Sequence, residues 1–155
     1  MTPLMSFWPS IFDKIVDQIK LIEYRRTFPK ECSYAYMYVS KPVKAVSAII
    51  YFGQKHALTD WKLEYSNNVS VSERIDHYLS DYRYGMEIIG VQKIKPISLE
   101  DLRANVNRFV APQSYLLLEN NQELRNYLEK HTVKVGELIR NDLTTAFPEH
   151  ICKQY

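Results

Sequence analysis

The run Gln18-Ile19-Lys20-Leu21-Ile22-Glu23-Tyr24-Arg25-Arg26 gathers a lysine, a carboxylate and two guanidinium groups where helical periodicity gives way to strand periodicity. Strand parity places Glu23 and Arg25 on one face, about 7 Å apart. Lys20 precedes them, where a bend aims it at the same place. A lysine withdrawn from water beside a carboxylate and a guanidinium is a usable acid/base and anion-binding set. The same residues can equally form an ion-pair cluster on an exposed edge strand, which contributes little to stability.

A second chemistry extends this run. From Lys20 to Lys44 there are six basic residues (Lys20, Arg25, Arg26, Lys30, Lys41 and Lys44) against two acidic ones, Glu23 and Glu31. If these side chains share a face, Arg25, Arg26, Lys41 and Lys44 can contact phosphates, which gives affinity with little sequence choice. Tyr24, Tyr36 or Tyr38 can stack an unpaired base where exposed. Packed against helices with their hydroxyls at the rim, they would be core instead. For Tyr36 the core reading is the better one.

The bulk numbers set bounds. A chain of 155 residues is one domain's worth and buries a core without disulfide staples. Hydrophobic residues at 46% and charged residues at 25% exclude disorder for most of its length. A net charge of +2 does not by itself declare a nucleic-acid binder. Cys32 and Cys152 stand alone, and His56, His77, His131 and His150 are isolated from one another. No metal site is therefore expected. With only four glycines there is no phosphate-cradling G-x-x-x-x-G-K, no G-x-G-x-x-G and no G-x-S-x-G, so no cofactor is expected. The start has no basic region followed by an apolar run, and no stretch approaches the roughly 20 apolar residues of a membrane helix. A cytoplasmic protein with reduced thiols is the expectation.

The elements that must position these residues follow from pattern. Ser10 is expected to cap a first helix whose stripe is Ile11, Phe12, Ile15, Val16 and Ile19. Strands are expected near 21–26, over 34–40 and over 44–52, the last ended by Gly53. A short helix over 57–65 is followed by one capped by Ser70 in the box Ser70-Val71-Ser72-Glu73 and stopped at Gly85. A strand over 86–94 ends at Pro96-Ile97-Ser98, which caps a short helix from Leu99 to about Val106. A strand over 114–118 and a helix from Asn120 or Asn121 to His131 come next. Residues 133–146 read as a further amphipathic helix and 148–155 as a loose end. Strands mixed with short helices, without β-α-β alternation, predict an α+β fold.

These motifs resemble the ASCH domain family of the PUA-like superfamily. That family opens with a helix and Gly-x-Lys-x-x-Glu-x-Arg, matched here by Gln18 to Arg25 with Gln18 in place of the glycine. A Tyr-x-Ser-x-Pro-x-Lys-like turn follows, seen in Tyr38-Val39-Ser40-Lys41-Pro42-Val43-Lys44. Lys95-Pro96-Ile97-Ser98-Leu99-Glu100-Asp101-Leu102 and Ala111-Pro112-Gln113-Ser114-Tyr115 match two later segments in the family's order. The resemblance covers about residues 5–118. It implies a PUA-like, small, curved antiparallel or mixed β-barrel over 1–118, with flanking helices and a cleft beside the Lys-Glu-Arg segment. Residues 119–155 lie outside the resemblance; their apolar positions, Leu124, Leu128, Val135, Leu138, Ile139 and Leu143, predict a helical C-terminal extension packed on the same domain, with a dimer surface as the alternative. Gln18 implies a turn geometry different from the family's, because Gly tolerates backbone angles that Gln does not.

The resemblance further implies an RNA or nucleotide-like ligand held by Lys20, Glu23, Tyr24, Arg25, Arg26, Tyr38, Ser40, Lys41, Lys44, Gln113 and Ser114. Some small members of the family hydrolyse N4-acetylcytidine with a Lys, Thr and Glu set. Lys20 matches the lysine, Glu23 stands where the threonine would be, and Glu64 and Glu87 are candidates for the glutamate. Two principal readings result: a binding module for RNA or a nucleotide-like ligand, or an amidohydrolase in which Lys20 is the acid/base and Glu23 activates water. A third is an interaction domain whose partner binds the C-terminal helices. The expected state is a monomer or a weak homodimer.

Overall fold

The computed structural model describes all 155 residues, Met1–Tyr155. Its centre is a seven-stranded mixed sheet that curls into a half-barrel, in the order β2-β5-β4-β3-β1-β6, with β7 added alongside β5. The strands are β1 (Pro3–Phe7), β2 (Ile22–Arg25), β3 (Tyr34–Val39), β4 (Ala45–Ala57), β5 (Tyr84–Ser98), β6 (Tyr115–Leu117) and β7 (Ile139–Arg140). The helices are α1 (Pro9–Val16), α2 (Leu58–Glu64), α3 (Val69–Leu79), α4 (Leu99–Asn105) and α5 (Gln122–His131). The fold is α+β, as the mixed pattern predicts. No helix is long and apolar enough to cross a membrane.

Both faces of the sheet are buried, which is why β3 carries Tyr34, Tyr36 and Tyr38 on one side and Ala35 and Met37 on the other. Tyr36, Tyr38, Val46, Ile49, Ile94 and Ile97 pack under α4 and α5 through Leu102, Leu124 and Leu128. Met5, Phe7, Ala35, Met37, Ala48, Ile50, Phe52 and Ile88 fill the other face with Ile15 of α1. A third cluster joins Ile22 and Tyr24 of β2 to Leu58, Trp61, Val71 and Ile75 of α2 and α3.

Strand β1 was not apparent from sequence. It is short, opens on a proline, and gains its partners only in the fold: β3 in parallel and β6 antiparallel. Ser10 lies inside α1 rather than at its cap, since Pro9 starts the helix after an extended Trp8. Asn68, not Ser70, caps α3 by accepting from the Val71 amide at 3.2 Å. Gly53 does not end β4, which runs on to Ala57 through an irregularity between Phe52 and Lys55. Gly85 does not stop a helix. It lies within β5, where a Cβ would sit 3.1 Å from Ile22, Trp61 and Tyr24 alike. The caps at Ser98 and Asn121 are as expected, each accepting from the amide three residues on.

The largest departure is at the C-terminal end. Residues 133–146 form no helix. β2 covers only the first part of β5, and the edge beyond it takes up the following chain as an extended strap. Lys95 donates its amide to Val133 O and Val135 donates to Lys93 O. The buried Gln92 Nε2 is within 3.0–3.3 Å of the carbonyls of Lys93, Val135 and Gly136. An unpaired strand edge outweighs the weak helical period of the segment. Residues 148–155 are not loose either. Ile151 and Cys152 are fully buried, and Arg74 donates to the carbonyls of Ile151 and Pro148 at 3.0 Å. Tyr24 Oη accepts from the Cys152 amide at 2.7 Å and reaches His150 O at 3.1 Å.

Those last two bonds generate a prediction. Tyr24→Phe leaves a buried amide and carbonyl without their partner, so it should cost about 1–3 kcal/mol. Urea unfolding measures the loss, and limited proteolysis should show earlier cleavage within 148–155 than in the parent protein.

Candidate functional site

The Lys20–Arg26 run begins with how α1 ends. Gln18 N–H donates to Ile15 O at 3.1 Å and Ile19 N–H to Lys14 O at 2.9 Å, a Schellman ending. Its left-handed position, at φ 60°, is held by Gln18 itself. The expected change of turn geometry is thus corrected: glutamine adopts the conformation usually left to glycine. Its Nε2 donates to Arg140 O at 2.9 Å and to Asn141 Oδ1 at 3.0 Å, so contacts with β7 and the following residue offset the backbone strain. The turn delivers Lys20 to the start of β2.

β2 alternates as parity requires. Ile22 and Tyr24 turn into the core, while Glu23 and Arg25 face a hollow of about 590 Å³. Lys20 and Glu23 are the only buried charged residues of the chain. Lys20 Nζ lies 3.3 Å from Glu23 Oε1, and 5.1 and 5.5 Å from the ring centres of Tyr24 and Tyr155. Arg25 holds Glu23 Oε2 with Nε at 3.2 Å and Nη2 at 3.0 Å. Burial alone would raise the Glu23 carboxyl, but the Lys20 ammonium and the Arg25 guanidinium outweigh it and hold Glu23 below the usual carboxylate range.

Arg25 reaches further. Nη2 donates to Ser6 O at 2.7 Å, and Nη1 to Ser114 O and Oγ at 3.2 and 3.3 Å. With the two bonds to Glu23, all five guanidinium donors are engaged within the protein. Arg25 therefore ties β2, at one edge of the curled sheet, to β1 and the residue before β6 at the other. Arg26, the next residue, leaves the strand and is exposed on the hollow's rim with no carboxylate partner. Lys14 of α1, His77, Tyr78, Asp81 and Tyr82 of α3 and its exit, Gln113, Gln154 and Tyr155 complete the lining.

The remaining expected residues divide between this hollow and a second of about 400 Å³. Gln113 and Ser114 reach the first. Tyr38, Ser40, Lys41 and Lys44 line the second, with Leu99 and Arg103 of α4. The six basic residues do not converge on one point, and Lys30 lines neither hollow. The two hollows adjoin, sharing Ser6, Trp8 and Gln113. Tyr24 and Tyr36 are buried core residues, as is Tyr38 apart from the edge it shows to the second hollow, so none presents an open ring face. Glu64 lies outside both hollows. Glu87 projects to the sheet face opposite Glu23, whose cross-strand neighbour is Met86, and is paired at 2.6 Å with His56 Nε2. Neither joins Lys20. No group of His, Cys, Asp and Glu side chains is placed to hold a metal ion.

Trp8, Arg103 and Lys14 were missed by sequence reasoning. The signal for Trp8 was a tryptophan before Pro9 at a helix start, outside any apolar stripe.

No family model matches the sequence, and no curated protein matches it. Solved structures do. The ASCH protein of Zymomonas mobilis superposes with a TM-score of 0.65 at 25% identity, over 87% of this chain and 98% of that one. Two single-substitution mutants of that protein superpose with TM-scores of 0.63 at 23% identity, over 84% of this chain and 96–98% of theirs.

Two outcomes test the site's electrostatics. Glu23→Gln leaves Lys20 buried and Arg25 half-satisfied, and should cost about 3–5 kcal/mol in urea unfolding at neutral pH. Because the folded-state value of Glu23 lies below its ordinary 4.5, its contribution is complete at neutral pH and is lost as pH falls below that value. The gap between the parent protein and Glu23→Gln should therefore narrow in acid. At the turn, Gln18→Gly exchanges strain for chain entropy and should stay within about 1 kcal/mol of the parent, whereas Gln18→Val should cost about 1–3 kcal/mol.

Proposed function

Because the chain folds as an ASCH domain, we propose that it binds RNA or a nucleotide-like ligand in the hollow at the sheet seam. The observation that carries this reading is the hollow's division of charge. Glu23 is neutralised from beneath by Lys20 and Arg25, while Lys14 and Arg26 stand on the walls without carboxylate partners. Lys20 keeps donors free beyond its one ion pair. A phosphate group meets these cations, and Gln113, Ser114 and Gln154 supply hydrogen bonds for a base or sugar. Tyr78 and Tyr82 offer aromatic surface on the far wall.

Arg26→Ala is the clean test, since Arg26 is exposed and holds nothing in place. It should weaken binding of a labelled single-stranded RNA several-fold at low salt without changing the melting temperature. The slope of log affinity against log salt should fall by about 0.7, one phosphate contact on a single strand. Unchanged affinity and slope would remove the hollow as the RNA site. Arg25→Ala is not informative here, because it opens the seam.

The amidohydrolase reading draws on the buried Lys20–Glu23 pair at the hollow's floor. It requires Glu23 to accept a proton from water. A carboxylate held ionised by two cations, with both oxygens engaged, is a weak base. The expected result of incubation with N4-acetylcytidine is no release of acetate. Turnover abolished by Lys20→Ala in a folded protein would reverse this order of preference.

A further inference from the structure

Trp8 is the largest aromatic side chain of the protein left in solvent, 74% exposed, while the other tryptophan, Trp61, is 3% exposed. It stands where β1 turns into α1, level with Ser40: β1 pairs with β3 through Phe7 and Val39, and the Ser40 amide donates to Phe7 O at 3.0 Å. That position makes Trp8 a shared wall of the two hollows. On one side lie Lys20 and Arg26. On the other lie Lys41, Lys44 and Arg103, all exposed and with no carboxylate in the lining. Together the two linings hold seven cations and two carboxylates, on a chain whose net charge is only +2. One of the two carboxylates, Glu23, is already neutralised.

An exposed indole flanked by two cationic hollows suits one kind of occupant. A single nucleotide fills one hollow and leaves the other cations unused. A duplex shields the faces of its bases. A single strand presents an unpaired base for stacking and a phosphate on each side of it. We propose that this face is a track for single-stranded polynucleotide, in which one base stacks on Trp8 and the flanking phosphates lie in the two hollows, toward Arg26 on one side and Lys44 and Arg103 on the other. The proposal rests on the reading of the first hollow as a nucleotide site and adds the second hollow, Trp8 and Arg103 to it. Stacking on Trp8 is sequence-tolerant, because every base has a π face; any base preference arises at Gln113, which both hollows share.

The probes are uridine monophosphate and oligouridylates of two, four and eight nucleotides, with a blunt RNA duplex and polyglutamate as competitors. Affinity should rise about tenfold or more from monophosphate to tetranucleotide, and intrinsic tryptophan fluorescence should be quenched on binding. Trp8→Ala should lower tetranucleotide affinity about tenfold or more and abolish the quenching. Trp8→Phe should recover part of the affinity. Lys44→Ala with Arg103→Ala should reduce the salt slope for the tetranucleotide by about 1.4, two phosphate contacts.

If the tetranucleotide binds Trp8→Ala as tightly as the parent, or duplex or polyglutamate competes as well as the single strand, the track is overturned. In that case Arg26-dependent binding of the monophosphate leaves the first-hollow reading standing. If no probe binds, or Arg26→Ala changes nothing for any of them, both readings fall. The melting temperature of each variant guards against loss of folding, and none of the substituted side chains is buried.

Discussion

The fold depends on a side-chain tie across an open seam. The sheet path begins at β2 and ends at β6, and a curled sheet with two free edges needs something to hold those edges at a fixed separation. Backbone pairing does not do it, since β2 pairs only with β5 and β6 only with β1. The Arg25 guanidinium does, by donating to Glu23 on its own strand and to Ser6 O, Ser114 O and Ser114 Oγ on the other edge. Its ring-like plane also lies 5.0 Å from the centre of Phe7, which excludes water from one side of the tie. Planar, five-donor geometry is what the position requires, and lysine could not replace it.

A charged tie at low exposure is expensive in desolvation unless its counter-charge is fixed. Glu23 supplies that charge and Lys20 compensates it from the other side, so the three residues form one unit. Positioning the unit falls to β2, only four residues long. It is held on its other face by Tyr24, whose hydroxyl binds the chain at His150 and Cys152 and whose ring meets Tyr78 edge-on at 4.7 Å. The C-terminal residues thus act on the hollow through β2. Tyr155 acts on it directly, with its ring 5.5 Å from Lys20 Nζ.

How much of this the residues announce depends on whether the information is local. The helix stripe of α1, the alternation of β3 and the caps at Ser98 and Asn121 are local and are read correctly. The Glu23–Arg25 pairing follows from strand parity, which needs only extended conformation over residues 22–25. Extended conformation of residues 133–141 is not local: it follows from an unfilled edge on β5 that the segment's own period does not report. Burial of Ile151 and Cys152 is likewise a consequence of β2 needing a cover. At Gln18 the sequence signal points the wrong way, because hydrogen bonds to residues 140 and 141, distant in the chain, offset the strain that the residue type predicts.

The same tie explains why neighbouring arginines have unlike roles. Arg25 is the last residue of β2, and alternation turns it inward to the seam, where its donors are exhausted. Arg26 follows the strand, escapes the alternation, and is left with its charge facing solvent. A hollow built this way has a floor whose charged groups are paired with one another and walls whose cations have no carboxylate partner. The floor sets the shape, because its buried groups hold one another and Arg25 spans the seam, so removing any member leaves a buried partner without its hydrogen bond or ion pair. The walls are free of that constraint: Lys14 and Arg26 on one side of Trp8, and Lys44 and Arg103 on the other, can change without disturbing the seam.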